Sequence, residues 1–196
     1  MNKFTRLSLI SLISLMSVLT LANVVMASSH PNIRSERLPL IRLYNSTIND
    51  HFYTSSQIEA DGAVANHGYR IEGTMGYVER YQQDATEAIF RMWNPVAKKH
   101  FYTTNSKEVQ SAQSSGFVLE GTVGFMQINQ ELLANPLSGM FWQGEVTVYR
   151  LYNNSQRKHF YTVSQSEVNY LLTRGYASEG QLGGELFSTY DPGTQN

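Results

Sequence analysis

Three histidines head three copies of one tetrapeptide, His-Phe-Tyr-Thr, at His51–Thr54, His100–Thr103 and His159–Thr162. Three imidazoles converging on an axis would make a zinc site with an open fourth position. No nearby His-x-x-x-His pair supports that arrangement. A residue repeated with the fold serves more often inside its own hairpin, satisfying local hydrogen bonds. No metal and no cofactor is therefore expected. Nine residues ahead of each histidine stands Arg42, Arg91 or Arg150, and each copy later carries Glu72, Glu120 or Glu179. Such charges are seldom buried unless paired. Their one-to-one match predicts one bidentate Arg–carboxylate pair in each copy, locking its first strand to its third. The alternative role is polar contact with a sugar or an acidic ligand.

Catalytic signatures are missing. No Asp or Glu stands outside the repeat in a recognisable acid/base setting, as glycoside hydrolysis would need. There is no nucleophile elbow, and Gly73-x-x-Gly76 lacks the Lys-Ser/Thr of a phosphate loop. The aromatics are the better lead. Tyr44, Trp93 and Tyr152 share one repeat position, next to Asn45, Asn94 and Asn153, while Tyr53, Tyr102 and Tyr161 share another. Aromatic faces beside Asn, Arg and Glu suit sugars, and repetition would add avidity. Aromatics alternating along strands also build cores, so one tyrosine set is expected to be buried.

The elements that must hold these residues follow from the pattern. Leu40–Tyr44 alternates as a strand, Asn45–Asp50 is a turn, and His51–Thr54 returns as the second strand of a hairpin. Ser56, Asn105 and Ser164 each precede a glutamate by three positions (Glu59, Glu108, Glu167), a helix-capping signal. Gly68, Gly116 and Gly175 close the helices. Gly62 weakens the first of them. Two more strands follow, separated by Gly73–Gly76 and its equivalents, where the glycines predict a bulge or a close backbone approach. Each unit thus reads strand, strand, helix, strand, strand. The predicted fold is mainly β, with three pseudo-symmetric repeats (about 40–88, 89–146 and 147–190) closed into a propeller-like ring. A β-trefoil-like barrel is the alternative. An insertion around Glu131–Gly144, with Trp142, lengthens the second unit and is a candidate binding loop.

The frame Arg-Leu-Tyr-Asn, His-Phe-Tyr-Thr, Ser-x-x-Glu, Gly-Tyr, Glu-Gly resembles an uncharacterised repeat domain of secreted bacterial and fungal proteins. The likeness spans about Leu40–Tyr190. The third copy departs from it at Gln181-Leu182-Gly183-Gly184. Such modules stand alone after a signal peptide or are appended to secreted hydrolases, including cell-wall-degrading ones. The resemblance implies an extracellular binding module and brings no catalytic residue with it.

The start of the chain agrees with export. Lys3 and Arg6 precede an uncharged run from Leu7 to Val25, and Val25-Met26-Ala27 offers small residues for cleavage. The expected organisation is a signal peptide (1–27), a flexible lead-in (28–39) and one domain (40–196), secreted or periplasmic. Removing the leader leaves 13 basic against 16 acidic residues. That balance gives no footprint for nucleic acid and no polybasic membrane surface. With no cysteine among 196 residues, disulfides and thiolate chemistry are excluded. The leading expectation is a non-enzymatic binding module for glycan or another cell-envelope polymer. The alternatives are an envelope-polymer hydrolase, metal-assisted through the histidines, and a protein-interaction or inhibitor module.

Overall fold

The computed structural model describes residues 35–128 and 145–188. The expected signal peptide, the lead-in before residue 35 and the insertion carrying Trp142 lie outside the described residues. Each unit contributes two hairpin strands, a helix and one long strand. The first holds β1 (Arg37–Asn45), β2 (Asp50–Thr54), α1 (Gln57–His67) and β3 (Arg70–Glu79). The second holds β4 (Thr86–Asn94), β5 (Lys99–Thr103), α2 (Ser106–Ser114) and β6 (Val118–Gln127). The third holds β7 (Glu145–Asn153), β8 (Lys158–Thr162), α3 (Gln165–Leu172) and β9 (Ala177–Phe187). Arg37–Pro39 of the lead-in already belong to β1.

The two strands expected after each helix are one strand. The glycines between them mark register shifts: β1 slips against β3 between Pro39 and Ile41 and again between Arg42 and Leu43. Gly73 (φ 144°) and Gly121 (φ 138°) take up the distortion in a backbone region that a side chain would disfavour. In the third unit Gly183 is an additional residue. Gly184 therefore takes the place of Gly76 and Gly124.

The propeller-like ring is not formed, and neither is the trefoil barrel. A propeller keeps each blade as a separate sheet, with blades packed face to face. Here the inner strands of different units hydrogen-bond to one another, and all nine strands belong to one antiparallel sheet that does not curl into a barrel. The inter-unit pairings are brief: Glu79 with Phe125, Gln127 with Glu185, and Tyr77 with Phe187. The glycines make this approach possible. A Cβ on Gly124 would lie 2.4 Å from a Val78 methyl, one on Gly184 2.4 Å from the Gln127 carbonyl oxygen, and one on Gly76 3.0 Å from the Phe187 carbonyl oxygen.

Four residues from each unit make the central core. They are Leu40, Tyr53, Met75 and Val78 in the first, Ile89, Tyr102, Val123 and Met126 in the second, and Val148, Tyr161, Leu182 and Leu186 in the third. A smaller cluster lies under each helix, such as Met92, Phe101 and Val109 under α2. Among the described residues no helix is long and apolar enough to cross a membrane.

Candidate functional site

The tetrapeptide divides its labour residue by residue. Tyrosine builds the centre: Tyr53, Tyr102 and Tyr161 are 3, 2 and 3% exposed. Tyr102 Oη donates to the Tyr53 carbonyl (3.1 Å) and accepts from the Tyr53 N–H (2.8 Å). Tyr161 does the same to Tyr102 (2.8 and 2.9 Å), and Tyr53 to Tyr161 (2.9 and 3.0 Å). The three aromatic rings meet edge to face at 5.1–5.5 Å, the arrangement their quadrupoles favour. Burial drives all three phenol pKa values upward, so they remain neutral donors. This is the buried tyrosine set.

Threonine and phenylalanine join the units at the rim. The Thr54, Thr103 and Thr162 hydroxyls bond the carboxylates of Glu59, Glu108 and Glu167 and accept from the backbone N–H of the helix N-caps. The capping box is thus half formed. Ser56 and Ser164 accept from the N–H of Glu59 and Glu167, but the threonine, not the glutamate, satisfies the cap's own N–H. The glutamates are freed for the neighbouring unit. Arg91 grips Glu59, Arg150 grips Glu108 and Arg42 grips Glu167, each through both terminal nitrogens at 2.8–3.0 Å. The same arginines reach the glutamate of their own unit with Nε, at 3.1 Å (Arg42–Glu72), 2.8 Å (Arg91–Glu120) and 3.0 Å (Arg150–Glu179). Each guanidinium lies over the phenylalanine of the adjoining unit, Arg42 over Phe160, Arg91 over Phe52 and Arg150 over Phe101.

The histidines lie in separate hairpins. Each packs on the aromatic residue of its own first strand: His51 on Tyr44 (4.6 Å), His100 on Trp93 (4.6 Å) and His159 on Tyr152 (4.7 Å). Each turns Nε2 toward Glu72, Glu120 or Glu179 of its unit (3.4, 3.6 and 3.2 Å). The convergent zinc geometry is not built, and among the described residues no cluster of three or more His, Cys, Asp or Glu is placed to hold a metal. Burial lowers the pKa of His51, and burial with Arg150 lowers that of His159 to about 4. His100 goes the other way. Burial opposes its charge, but its hydrogen bond to Asp50 (Nδ1–Oδ2, 2.6 Å) and the neighbouring Glu120 carboxylate outweigh it and raise its pKa. Asp50 is itself buried, and it also accepts from the Tyr69 hydroxyl (2.8 Å) and the His100 N–H (2.9 Å).

The asparagines Asn45, Asn94 and Asn153 brace their own units, and Asn45 also lines the cleft between the first and second units. Each Oδ1 accepts from backbone N–H groups of the hairpin turn, and each Nδ2 donates to a carbonyl at the end of the helix: His67, Ser115 or Arg174. Tyr44, Trp93 and Tyr152 are half-buried against their histidines.

Of these, Trp93 opens onto a cleft of about 580 Å³ between the first and second units. α1 and Tyr69 form one wall; Arg91, Trp93, His100 and Glu120 form the other; Phe52 lies beneath. The cleft exists because α1 is slender. Its buried face is Ala60 and Ala63, where α3 has Val168 and Leu171. Glu59, Gly62, Asn66, His67 and Tyr69 also line the space, and none of them stands among the sequence-derived candidates. Gly62, a glycine inside a helix, is visible as a departure from the repeat, as is Asp50 behind His100 where the other units have Lys99 and Lys158, whereas Glu59 and Tyr69 are repeat positions.

A mainly β protein of three similar units, stitched by Arg–Glu pairs and a buried tyrosine trio, is thus the class that the geometry defines. A family model described as Domain of unknown function (DUF5648) matches residues 22–127 and 129–188, and the chain belongs to that family. Comparison with curated proteins and with solved structures returned no match.

Proposed function

We propose that this protein is an exported, non-enzymatic binding module that takes a glycan segment of a cell-envelope polymer in the cleft between α1 and the second hairpin. The observation that carries the reading is the cleft itself. Its volume falls in the range of about 300–1,000 Å³ typical of small-molecule sites. Its walls alternate apolar faces (Trp93, Phe52, Tyr69) with polar groups (Asn66, His100, Glu120). Sugars need both, an apolar surface against the C–H face of the ring and hydrogen-bonding groups around its edge.

Two features support binding over bond cleavage. Hydrogen bonds from Arg91 hold the Glu59 carboxyl below its usual range, and for Glu120 burial is overcome by His100 and Arg91 with the same result. Both are therefore ionised, whereas cleavage of a glycosidic bond requires one carboxylic acid kept protonated. Arg91 also occupies Glu59 through two hydrogen bonds, which leaves it a structural role.

The test is retention on insoluble peptidoglycan and on insoluble polysaccharide. Wild type should be retained, and Trp93→Ala should pass through while keeping the wild-type circular dichroism spectrum. Equal retention of both proteins would sink the reading.

A further inference from the structure

Three junctions join the units, and one differs from the other two in several independent ways. At the helix, Gly62 of α1 stands where α2 has Ser111 and α3 has Tyr170. At the hairpin, Asp50 stands where the other units have Lys99 and Lys158. At the aromatic position, Trp93 stands where they have Tyr44 and Tyr152. All three departures meet at one place. Gly62 and Trp93 line the 580 Å³ cleft, and Asp50 fixes the imidazole of His100, which lines it too.

The polar geometry there selects a ligand class. His100 is anchored through Nδ1 by Asp50, which orients Nε2 toward Glu120 Oε2, 3.6 Å away. That gap is too long for a direct hydrogen bond of about 2.7–3.2 Å. A hydroxyl, which donates and accepts from a single atom, can sit beside this pair, giving to the carboxylate and, when His100 is protonated, receiving from Nε2–H. Charge points the same way. Arg91 and His100 are matched by Asp50, Glu59 and Glu120, which leaves no surplus positive charge for an anionic ligand.

Building on the glycan reading, we propose that this cleft is the one sugar subsite among the described residues. A neutral pyranose ring lies against Trp93 and places one hydroxyl against His100 and Glu120, while the corresponding positions at Tyr44 and Tyr152 serve the scaffold alone. Among the described residues, three similar units then present one such subsite, not three.

Isothermal titration with cellotetraose and with a β-1,4-linked N-acetylglucosamine tetramer tests this. At least one should bind with a stoichiometry near one. Gly62→Tyr places in α1 the residue that α3 carries at that position. A Cβ at Gly62 meets nothing within 4 Å, so the variant should fold, fill the cleft and weaken binding by tenfold or more, about 1.4 kcal/mol. Trp93→Leu and Glu120→Leu should weaken it similarly. Tyr44→Leu, Tyr152→Leu and Glu179→Leu, the same changes at the other junctions, should bind as wild type. A stoichiometry near three, equal losses at all junctions, or wild-type affinity of Gly62→Tyr would overturn the single-subsite proposal and leave the glycan reading standing. Retention on insoluble polymer without binding of either tetrasaccharide overturns the proposal alone, whereas loss of both removes the glycan reading with it.

Discussion

Arg91 of the second unit holds Glu59 of the first through both terminal nitrogens, at 2.9 and 3.0 Å from the two carboxylate oxygens. The glutamate begins a helix in one unit and ends an ion pair in the next, so a local capping residue becomes a tie between units. Hydrogen bonds from Arg91, Arg150 and Arg42 lower the pKa values of Glu59, Glu108 and Glu167 respectively. A carboxylate with a depressed folded-state pKa contributes stability that is present above its unfolded value, about 4.3, and lost as pH falls through the folded value. Glu59→Gln should therefore destabilise the protein at pH 7 and have little effect at pH 3. Glu59 is 45% exposed, and solvent screening limits the expected loss to about 1 kcal/mol. Urea unfolding at the two pH values measures it; equal losses at both would refute the assignment.

The buried phenols carry a larger penalty. Tyr102→Phe leaves both the N–H and the carbonyl of Tyr53 without their partner in the centre of the protein. Two orphaned buried groups cost about 2–4 kcal/mol together. Tyr152→Phe, at a half-buried position, should stay within about 0.5 kcal/mol of wild type. A thermal or urea series comparing the two variants decides, and similar losses would be incompatible with the phenol network.

Glycines at two positions should respond in opposite directions. Gly62→Ala removes helix-interior flexibility and meets no neighbour, so it should stabilise by about 0.5–1 kcal/mol. Gly124→Ala places a carbon 2.4 Å from Val78 and 3.2 Å from the Glu79 carbonyl oxygen, and should cost about 1–3 kcal/mol by overpacking. Differential scanning calorimetry on the pair checks both signs.

The three histidines should titrate apart. His100 faces Asp50, Glu120, Glu59 and Arg91, with Tyr69 behind Asp50, and its pKa is raised; those of His51 and His159 are lowered. NMR should place His100 above about 6.5 and the other two below. The stability contributed by the Asp50–His100 pair is then fully present below pH 6.5 and fades as pH rises through the raised value. Asp50→Asn should bring His100 down toward its ordinary range and destabilise more at pH 5.5 than at pH 9. A His100 titration indistinguishable from that of His159 would count against the pair.

Much of this arrangement is legible in the letters. The hairpins, the helices capped by Ser56, Asn105 and Ser164, and the glycine-marked distortions of β3, β6 and β9 all follow from local rules that act within a few residues. The own-unit approach of Arg42 to Glu72 follows from charges recurring in register. What periodicity hides is anything that passes between units. It cannot tell whether Glu59 serves its own helix cap or Arg91, because both partners recur in the same order. Nor can it separate a propeller from one continuous sheet, since that choice rests on single backbone bridges such as Glu79 with Phe125. The cleft escapes notice for a further reason. Periodicity shows what the copies share, and the cleft is opened by what they do not share, Gly62 and Trp93, with Asp50 behind His100.

The tyrosine trio has a consequence for how such a protein can be divided. Every phenol spends its oxygen on the backbone of one sibling while its own backbone waits for the other. Excising a third of the chain strands hydrogen-bonding groups on both remaining pieces, so a solitary segment finds relief only in two further copies of itself. The molecule is built as a covalently tethered trimer, and circular permutation at a segment boundary should be tolerated where truncation is not.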